Sequence, residues 1–370
     1  MFLARRRFPV VLLCLLLTGP VSAARKDHQP AQSRPGIEVV GAFFAGGPIV
    51  GAAKLDEYLY ITTPDRLAIY DVSDPIVPSL LGSAVSPRAI YGELISTDGE
   101  TLLTNDGLTG GTLDVWNVED KTNPVLATTL QGVPDEHVSC LLECTWAYGS
   151  AGTIVDLRDP RESEVRSENW KAIVGLGRDP IHRIDEYRLG YMATAPRRGP
   201  PVLIQVIRPL RPRIVARTKV PRRVPNAFLY SEWVREGHDR YVITSSETQQ
   251  CDDRHQGALM SFDTKGWPRK RVFEIAGTFK YRGTRESESE ERTCQSYYFS
   301  LHPDFDDGGL ILLPNGLEGL RIVRMDRRGQ MTQDASFIPP VSDVWLAFWI
   351  DEEIFYGLNR TGEVYVLRYV

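Results

Sequence analysis

Short runs of β-branched and aromatic residues alternate with turns rich in proline and aspartate from residue 37 to the end of the chain. The clearest unit has one run at 57–63, a turn at 64–66, a second run at 67–72 and a turn at 73–78 that carries two prolines. Such runs predict short β-strands separated by tight turns. The pattern recurs at intervals of about 49 residues, which indicates an internal repeat.

The run at 67–72 corresponds to the third strand of a four-stranded unit, and runs of this kind occur seven times along the chain. A unit of about 50 residues with four short strands has the size of a propeller blade. The sequence therefore predicts an all-β fold, a seven-bladed β-propeller in a single domain over residues 37–370. Equivalent positions in the third strands are Asp71, Asn117, Asp156, Gln205, Ser261, Arg324 and Leu367.

The last unit contains only three strands, since its third run, 364–370, reaches the end of the sequence. Residues 37–42 are similar to the fourth strands of other units, such as 78–83. We therefore expect this N-terminal strand to complete the last blade. Closure of that kind removes the free edges that an open stack of sheets would expose.

Residues 1–23 have the pattern of a secretory signal peptide. Three arginines at 5–7 precede an apolar run at 10–17, and Val21-Ser22-Ala23 supplies the small residues expected before cleavage near Ala23. The apolar run is shorter than the ~20 residues that cross a bilayer, so we expect no transmembrane segment. The pattern predicts a flexible leader at 24–36 and a secreted, periplasmic or cell-surface protein.

Four cysteines remain after the predicted signal peptide. An even number of cysteines in an exported chain is typical of disulfides. The predicted strand order allows two pairs, Cys140–Cys144 across one turn and Cys251–Cys294 between neighbouring blades. A zinc site that starts at Cys140 and Cys144 is the alternative, but no second close pair completes four ligands.

The segment Leu67-Ala-Ile-Tyr-Asp-Val-Ser-Asp-Pro75 resembles the LVIVD repeat of secreted and cell-surface bacterial β-propellers. The resemblance extends over residues 37–370 and implies the propeller fold and export. It implies no catalytic residue. Gln295 stands after Cys294 at a position where the family commonly has a histidine.

The net charge of −5 disfavours a nucleic-acid partner, since such proteins usually carry a strongly basic domain. In a propeller, the loops that enter the first strands and those that join second to third strands meet at one mouth of the central channel. Rigidly held loops of this kind are common ligand sites. The ligand-binding candidates at that mouth are Arg88, His137, His182, Arg198, Asn226, Gln295, Asp343 and Trp345, the last as a stacking platform.

Two functions fit these features. The first is an exported binding or scaffolding module, without a cofactor, for an extracellular protein or glycan. The alternative is a hydrolase or lyase, metal-dependent or not, that uses His137 or His182 as a base at the channel mouth. The sequence contains no nucleophile elbow, phosphate-binding loop or zinc helix motif, which favours the binding role.

Overall fold

Strands follow one another along the chain with short turns between them, as the alternation of apolar runs and turns predicts. The structure is a computed structural model, and its strands all belong to one compact unit, Ala31–Val370. It describes residues 32–33, 36–90, 95–106, 111–135, 137–167, 169–177, 181–188, 190–196, 200–219, 228–233, 240–246, 258–280, 298–306, 308–316, 319–339 and 344–370.

The first half of the chain contains fourteen strands and one short helix within the described residues. In chain order they are β1 (Gln32–Ser33), β2 (Ile37–Phe44), β3 (Gly51–Leu55), β4 (Tyr58–Thr63), β5 (Arg66–Asp71), β6 (Ser79–Val85), β7 (Ser96–Thr97), β8 (Thr101–Asn105), β9 (Thr112–Asn117), β10 (Val125–Gln131), β11 (Val138–Leu141), β12 (Trp146–Gly149), β13 (Ile154–Asp156), β14 (Glu164–Ser167) and α1 (Trp170–Ile173).

The second half continues the same succession of strands. They are β15 (Ile181–Arg188), β16 (Tyr191–Pro196), β17 (Val202–Gln205), β18 (Arg213–Lys219), β19 (Phe228–Trp233), β20 (Tyr241–Ser246), β21 (Ala258–Asp263), β22 (Val272–Lys280), β23 (Ser300–Leu301), β24 (Gly309–Pro314), β25 (Leu320–Met325), β26 (Met331–Ile338), β27 (Val344–Trp349), β28 (Ile354–Asn359) and β29 (Glu363–Tyr369).

Within the described ranges these strands form six sheets, and the prediction of seven is wrong in that count. Four sheets have four strands each, and one has five because β1 is added to its outer edge. The sixth has eight strands in the order β15-β16-β17-β18-β22-β21-β20-β19. The two outer strands β18 and β22 pair in parallel and join two four-stranded antiparallel halves into one sheet.

The predicted closure is confirmed by the pairing of β2 with β29. Ile37 lies opposite Tyr369 and Phe44 lies opposite Glu363, so the N-terminal strand is the outer strand of the sheet that contains β27 and β28. The first strands contact one another in succession, β27 with β3, β3 with β7, β7 with β11, β11 with β15 and β15 with β19, while β23 contacts β27. The first strands therefore lie around a common axis.

Tyrosine hydroxyls connect neighbouring sheets. The hydroxyl of Tyr356 in β28 donates to the carbonyl of Pro75, at 2.7 Å, in the turn between β5 and β6. The hydroxyl of Tyr148 in β12 donates to the carbonyl of Pro209, and the hydroxyl of Tyr241 in β20 donates to the carbonyl of Arg327. The turn between third and fourth strands is thus held by the second strand of the preceding unit.

Three outer strands share a β-bulge followed by glycine. The bulges interrupt the pairing just before Gly41 in β2, Gly82 in β6 and Gly277 in β22. At Gly82 a Cβ atom would lie 2.5 Å from the carbonyl oxygens of Lys121 and Thr122, in a turn of the next sheet. Glycine is required there because the neighbouring backbone approaches so closely.

Part of the predicted leader is also paired with the sheets. Gln32 and Ser33 form the short strand β1 and lie opposite Ile338 and Phe337 of β26. The expectation of a loose leader does not hold for these two residues, because the free edge of β26 offers backbone partners.

Candidate functional site: a cavity at the hairpin end of the ring

A cavity of about 390 Å³ lies around the ring axis where the first strands end and turn into the second strands. Its wall comes from β3, β7, β11, β15, β23 and β27 and from their hairpins. Antiparallel strands place these hairpins at the end of the ring opposite the loop mouth predicted from the sequence. The charged residues of the wall are Lys54, Asp98, Glu143 and Glu186, and Phe299 and Phe348 are among its apolar residues.

A disulfide loop forms one side of the cavity. Cys140 and Cys144 are bonded across the turn that follows β11, with 4.5 Å between their Cα atoms, as predicted. Leu142, Glu143 and Cys144 all have left-handed backbone angles, with φ of 56°, 55° and 49°. Such angles cost a non-glycine residue roughly 1–2 kcal/mol and are often found at functional sites.

Glu186 of β15 holds this strained turn from the neighbouring first strand. Both of its carboxylate oxygens accept a hydrogen bond from the backbone N–H of Leu142 at 2.9 Å. The hydroxyl of Thr145 donates to the carbonyl of Leu142 at 2.6 Å and closes the turn from the other side. Together with the disulfide, these bonds fix the backbone of the turn at Glu143, whose exposed side chain lies at the rim of the cavity.

Asp98 lies on the adjacent hairpin, between β7 and β8. Its Oδ1 accepts from the backbone N–H groups of Glu100 and Thr101 at 3.0 and 2.8 Å. The carbonyl oxygen of Thr101 lies 4.0 Å from Sγ of Cys144, so the two hairpins are in contact. The Asp98 and Glu143 carboxylates are therefore presented by neighbouring, internally braced turns.

Lys54 is a half-buried cation in the cavity wall. Burial lowers the pKa of its ammonium group, and the nearby carboxylates of Asp56, Asp351 and Glu57 act in the opposite direction. Burial disfavours the charged form of a lysine, whereas a carboxylate close to it favours that form.

The hairpins around the cavity are strongly acidic. Ten exposed carboxylates lie on the hairpins of five units within the described residues, whereas Lys54 and His302 are the only described basic side chains on those same hairpins. Closely spaced carboxylates around a concave site attract cations and raise their local concentration. The ten are Asp56, Glu57, Asp98, Glu100, Glu143, Asp304, Asp306, Asp351, Glu352 and Glu353.

Sequence reasoning missed this acidic rim. The signal was present, because the predicted hairpins repeat a pair of acids at Asp56-Glu57, at Asp98 and Glu100, and at residues 351–353. Aspartate is also common in turns for conformational reasons, and the ligand residues predicted from the sequence all belong to the opposite mouth. Among the residues that the structure describes, no group of three or more His, Cys, Asp and Glu side chains is arranged to hold a metal ion.

Arg88, predicted at the loop mouth, is partly exposed and forms an ion pair with Asp114 of β9. The Nη1–Oδ1 distance is 3.5 Å. Burial raises the pKa of the Asp114 carboxyl, while the hydroxyl of Thr129 and the charge of Arg88 oppose that shift. The positive charge of Arg88 is therefore paired with the negative charge of the buried Asp114 carboxylate.

His137 is in the interior and not at an open mouth. Its side chain is only 1% exposed, and its backbone N–H donates to the hydroxyl of Ser150 at 3.2 Å. Beside it, Asp135 accepts from the backbone N–H of Gly152 at 3.1 Å, and burial raises the pKa of its carboxyl. The expectation of an accessible histidine is wrong because the turn after β12 folds over this position.

Trp345 is not an exposed stacking platform. It is 1% exposed, and the guanidinium of Arg360 lies 4.7 Å from its ring centroid. Tyr298 packs edge-on against the same ring at 6.1 Å. The indole fills the space between sheets at the start of β27, so a ligand cannot lie on its face.

The other predicted ligand residues are not brought together in the described part of the chain. The backbone of His182 lies in β15, but its side chain is outside the described residues. The predicted pair Cys251–Cys294 lies outside them as well, as do the four remaining ligand-binding candidates, Arg198, Asn226, Gln295 and Asp343. These assignments stay predictions.

Neither a protein-family model nor a curated protein sequence matches the chain. Solved structures do match its fold. The β-propeller domain of Cps50 (Swd1) from Myceliophteria thermophila has a TM-score of 0.60 at 10% identity, and covers 90% of this chain and 100% of its own. The chain is a β-propeller. Its scaffold is also similar to the WD40 β-propeller domain of Doa1, with a TM-score of 0.57 at 10% identity over 90% and 97% of the two chains.

A third similar structure is a chain of the Mitotic Checkpoint Complex, with a TM-score of 0.60 at 13% identity over 99% of both chains. Identities this low establish the shared fold alone. None of the helices in the described part of this propeller has the length and apolar character needed to cross a bilayer.

Proposed function

We propose that this propeller is an exported binding module that holds a cationic segment of an extracellular protein at the hairpin end of its ring. The observation that carries the proposal is the cavity on the ring axis, which is lined by the carboxylates of Asp98 and Glu143 on braced hairpins and lies among hairpins with eight further exposed carboxylates. A cavity with carboxylates at its rim and apolar side chains such as Phe299 and Phe348 in part of its wall suits a lysine or arginine side chain, whose aliphatic stem packs while its head group remains paired.

Further observations support an exported binding role. One chain of similar fold is part of the Mitotic Checkpoint Complex, so the scaffold occurs in a protein assembly. The arginine-led apolar run at the N-terminus supports export. The likeness to the LVIVD repeat points in the same direction. The buried imidazole of His137 does not favour the hydrolytic alternative, because a general base must reach the substrate.

A capture experiment with matched variants tests this function. The chain from residue 24 onward is used as bait on the extracellular fraction, next to a double variant with Asp98→Asn and Glu143→Gln. Both substitutions keep side-chain volume, and asparagine retains the acceptor that Asp98 offers to Glu100 and Thr101. We expect about tenfold weaker retention, since tenfold corresponds to roughly 1.4 kcal/mol, a plausible loss for two exposed charge contacts.

The matched control removes two exposed carboxylates that are not on the cavity hairpins, Asp65→Asn in the turn between β4 and β5 and Glu274→Gln in the outer strand β22. This control should retain the partner as the parent chain does. Equal retention by all three chains, or equal losses in both variants, contradicts the assignment of the partner to the cavity rim.

A further inference from the structure

Two basic stretches meet where the eight-stranded sheet is joined. Residues 207–219 lead into and form β18, and residues 264–273 lead into β22. Together they contain nine lysines and arginines and no aspartate or glutamate, in a chain whose net charge is −5. All nine side chains are exposed: Arg208, Arg211, Arg213, Arg217, Lys219, Lys265, Arg269, Lys270 and Arg271.

Parallel pairing brings the two stretches side by side. Arg217 lies opposite Val272 in the register of β18 and β22, and its backbone N–H donates to the carbonyl of Arg271 at 3.0 Å. Residues more than 50 positions apart in sequence thus form one continuous basic surface, named the basic seam here.

Few carboxylates lie close to the basic seam, and one of them, Glu274, is opposite Lys219 in the register of β18 and β22. Elsewhere arginines pair with carboxylates, as Arg158 does with Asp156 and Arg324 with Asp334. No ion pair joins any of the nine cations of the seam to a carboxylate within the described ranges. Unpaired cations in such numbers produce a strong local positive potential.

A small pocket of about 180 Å³ lies in the basic seam. It is lined by Tyr191, Gln205, Arg213, Trp267 and Arg271, with apolar atoms from β18. The ring of Trp267 packs edge-on against the ring of Tyr191, with 5.5 Å between centroids. The pocket therefore combines an aromatic surface with two guanidinium groups.

A chain of side-chain hydrogen bonds orients one of these guanidinium groups. Nε of Arg213 donates to Oε1 of Gln205 at 2.7 Å, and Nε2 of Gln205 donates to the hydroxyl of Tyr191 at 2.7 Å. In the described part of the chain the terminal nitrogens of Arg213 have no other partner, and they remain for a ligand. A planar guanidinium held in this way recognises a carboxylate or a sulfate through two parallel hydrogen bonds.

We propose that the basic seam binds an acidic polysaccharide, with one carboxylated or sulfated sugar ring in the pocket and further acidic groups along β18 and β22. This inference rests on the proposed export of the protein. The pocket volume and the half-buried Trp267 suit a single ring that is packed by its apolar face. A run of stacked bases would instead need several open aromatic faces.

Binding of defined polymers tests the proposal. The probes are polygalacturonate for carboxylates and dextran sulfate for sulfates, with neutral dextran as the uncharged control. Single-stranded DNA and polyglutamate represent the other polyanions. We expect polygalacturonate, dextran sulfate or both to bind more tightly than DNA and polyglutamate, with affinity that falls as salt rises.

The variant Arg213→Gln with Arg271→Gln removes both guanidinium groups from the pocket. It should lose about thirtyfold in affinity for the polysaccharide that binds, roughly 2 kcal/mol for two charged hydrogen bonds. The control Arg66→Gln with Arg161→Gln, two exposed arginines on other sheets, should change affinity less than twofold. Melting temperatures equal to that of the parent chain establish that each variant is folded.

Three results overturn the proposal: tighter binding of DNA or polyglutamate, no binding of either acidic polysaccharide, or equal losses in the two arginine variants. The cavity function is tested separately on the same proteins. The pocket variant should still retain the protein partner at the hairpins. Failure of the parent chain to capture a protein partner while it still binds polysaccharide therefore counts against the cavity function alone, and capture of a partner without any polysaccharide binding counts against the basic seam alone.

Discussion

A chain that begins at Ala45 will not fold cooperatively, whereas one that begins at Ala31 will melt as the chain from residue 24 does. The first truncation removes β2, the outer strand of the sheet that contains β29. Its backbone pairs with β29 from Ile37 to Phe44. Without it, β29 becomes a free edge and the last sheet retains three strands.

The side chains of β2 explain the size of this effect. Ile37 is buried, and Val40 and Phe43 pack against the core. The ring of Phe43 lies 5.3 Å from Tyr70 and 5.9 Å from Tyr356, so it joins the first and last sheets. Roughly 2 kcal/mol for buried Ile37 and about 1 kcal/mol for each of the half-buried Val40 and Phe43 give a loss of about 4 kcal/mol before the lost backbone pairing is added, against a total stability of about 5–15 kcal/mol for a folded protein.

Thermal melting followed by circular dichroism measures this outcome. The chain from Ala31 is the matched control, since it retains both β1 and β2. A cooperative transition for the chain from Ala45, within a few degrees of the control, contradicts the closed ring.

Replacement of Gly82 by alanine will lower the free energy of unfolding by about 3 kcal/mol. The added Cβ would lie 2.5 Å from the carbonyl oxygens of Lys121 and Thr122. Backbone atoms of a braced turn cannot move away as the end of a flexible side chain can, so the two sheets must separate. Overpacking of this kind typically costs 1–3 kcal/mol.

Gly41 provides a matched control for this substitution. It follows a bulge at the same place in its outer strand, but a Cβ there would find its nearest neighbour at 3.6 Å, which is ordinary contact. Gly41→Ala should change the free energy of unfolding by less than about 1 kcal/mol. Urea denaturation of both variants checks the difference, and equal effects would mean that the spacing between sheets does not restrict Gly82.

Much of the strand pattern could be predicted from the sequence because it depends on local alternation and turns. The predicted runs 57–63 and 67–72 correspond to β4 and β5 within one residue. The pairing of β2 with β29 and the bond between Cys140 and Cys144 are also confirmed. Cys140 and Cys144 are close in sequence, and β2 is a strand that fits the repeat only as the fourth strand of the last unit.

The predicted number of sheets, seven instead of the six formed by the described residues, is wrong for a physical reason. Whether the outer strands β18 and β22 come within hydrogen-bonding distance depends on the relative tilt of two whole units. No local pattern encodes that tilt. For the same reason the basic runs at 208–213 and 269–271 were visible as charges, but their meeting at the basic seam was not.

How deeply the predicted mouth residues are buried could not be predicted from the sequence either. His137 and Trp345 lie at strand entries, as expected, yet Ser150 and Arg360 from the following loops lie against them. Strand periodicity indicates which face a side chain takes. It does not indicate how far a loop later in the chain folds over that face.

The closure of the ring is tested most directly by a cross-link between its two ends. Glu38 and Arg368 are register partners in β2 and β29, and their side chains form an ion pair at 3.7 Å. Paired residues of antiparallel strands have Cα atoms about 4.5–5.5 Å apart, within the range of a disulfide. In the chain with Glu38→Cys and Arg368→Cys, we expect peptide mapping without reduction to find these two cysteines linked. In the control with Glu38→Cys and Glu363→Cys they should remain unlinked, because Glu363 lies opposite Phe44, about 20 Å along the strand. Free thiols at positions 38 and 368, or a link to position 363, would contradict the account.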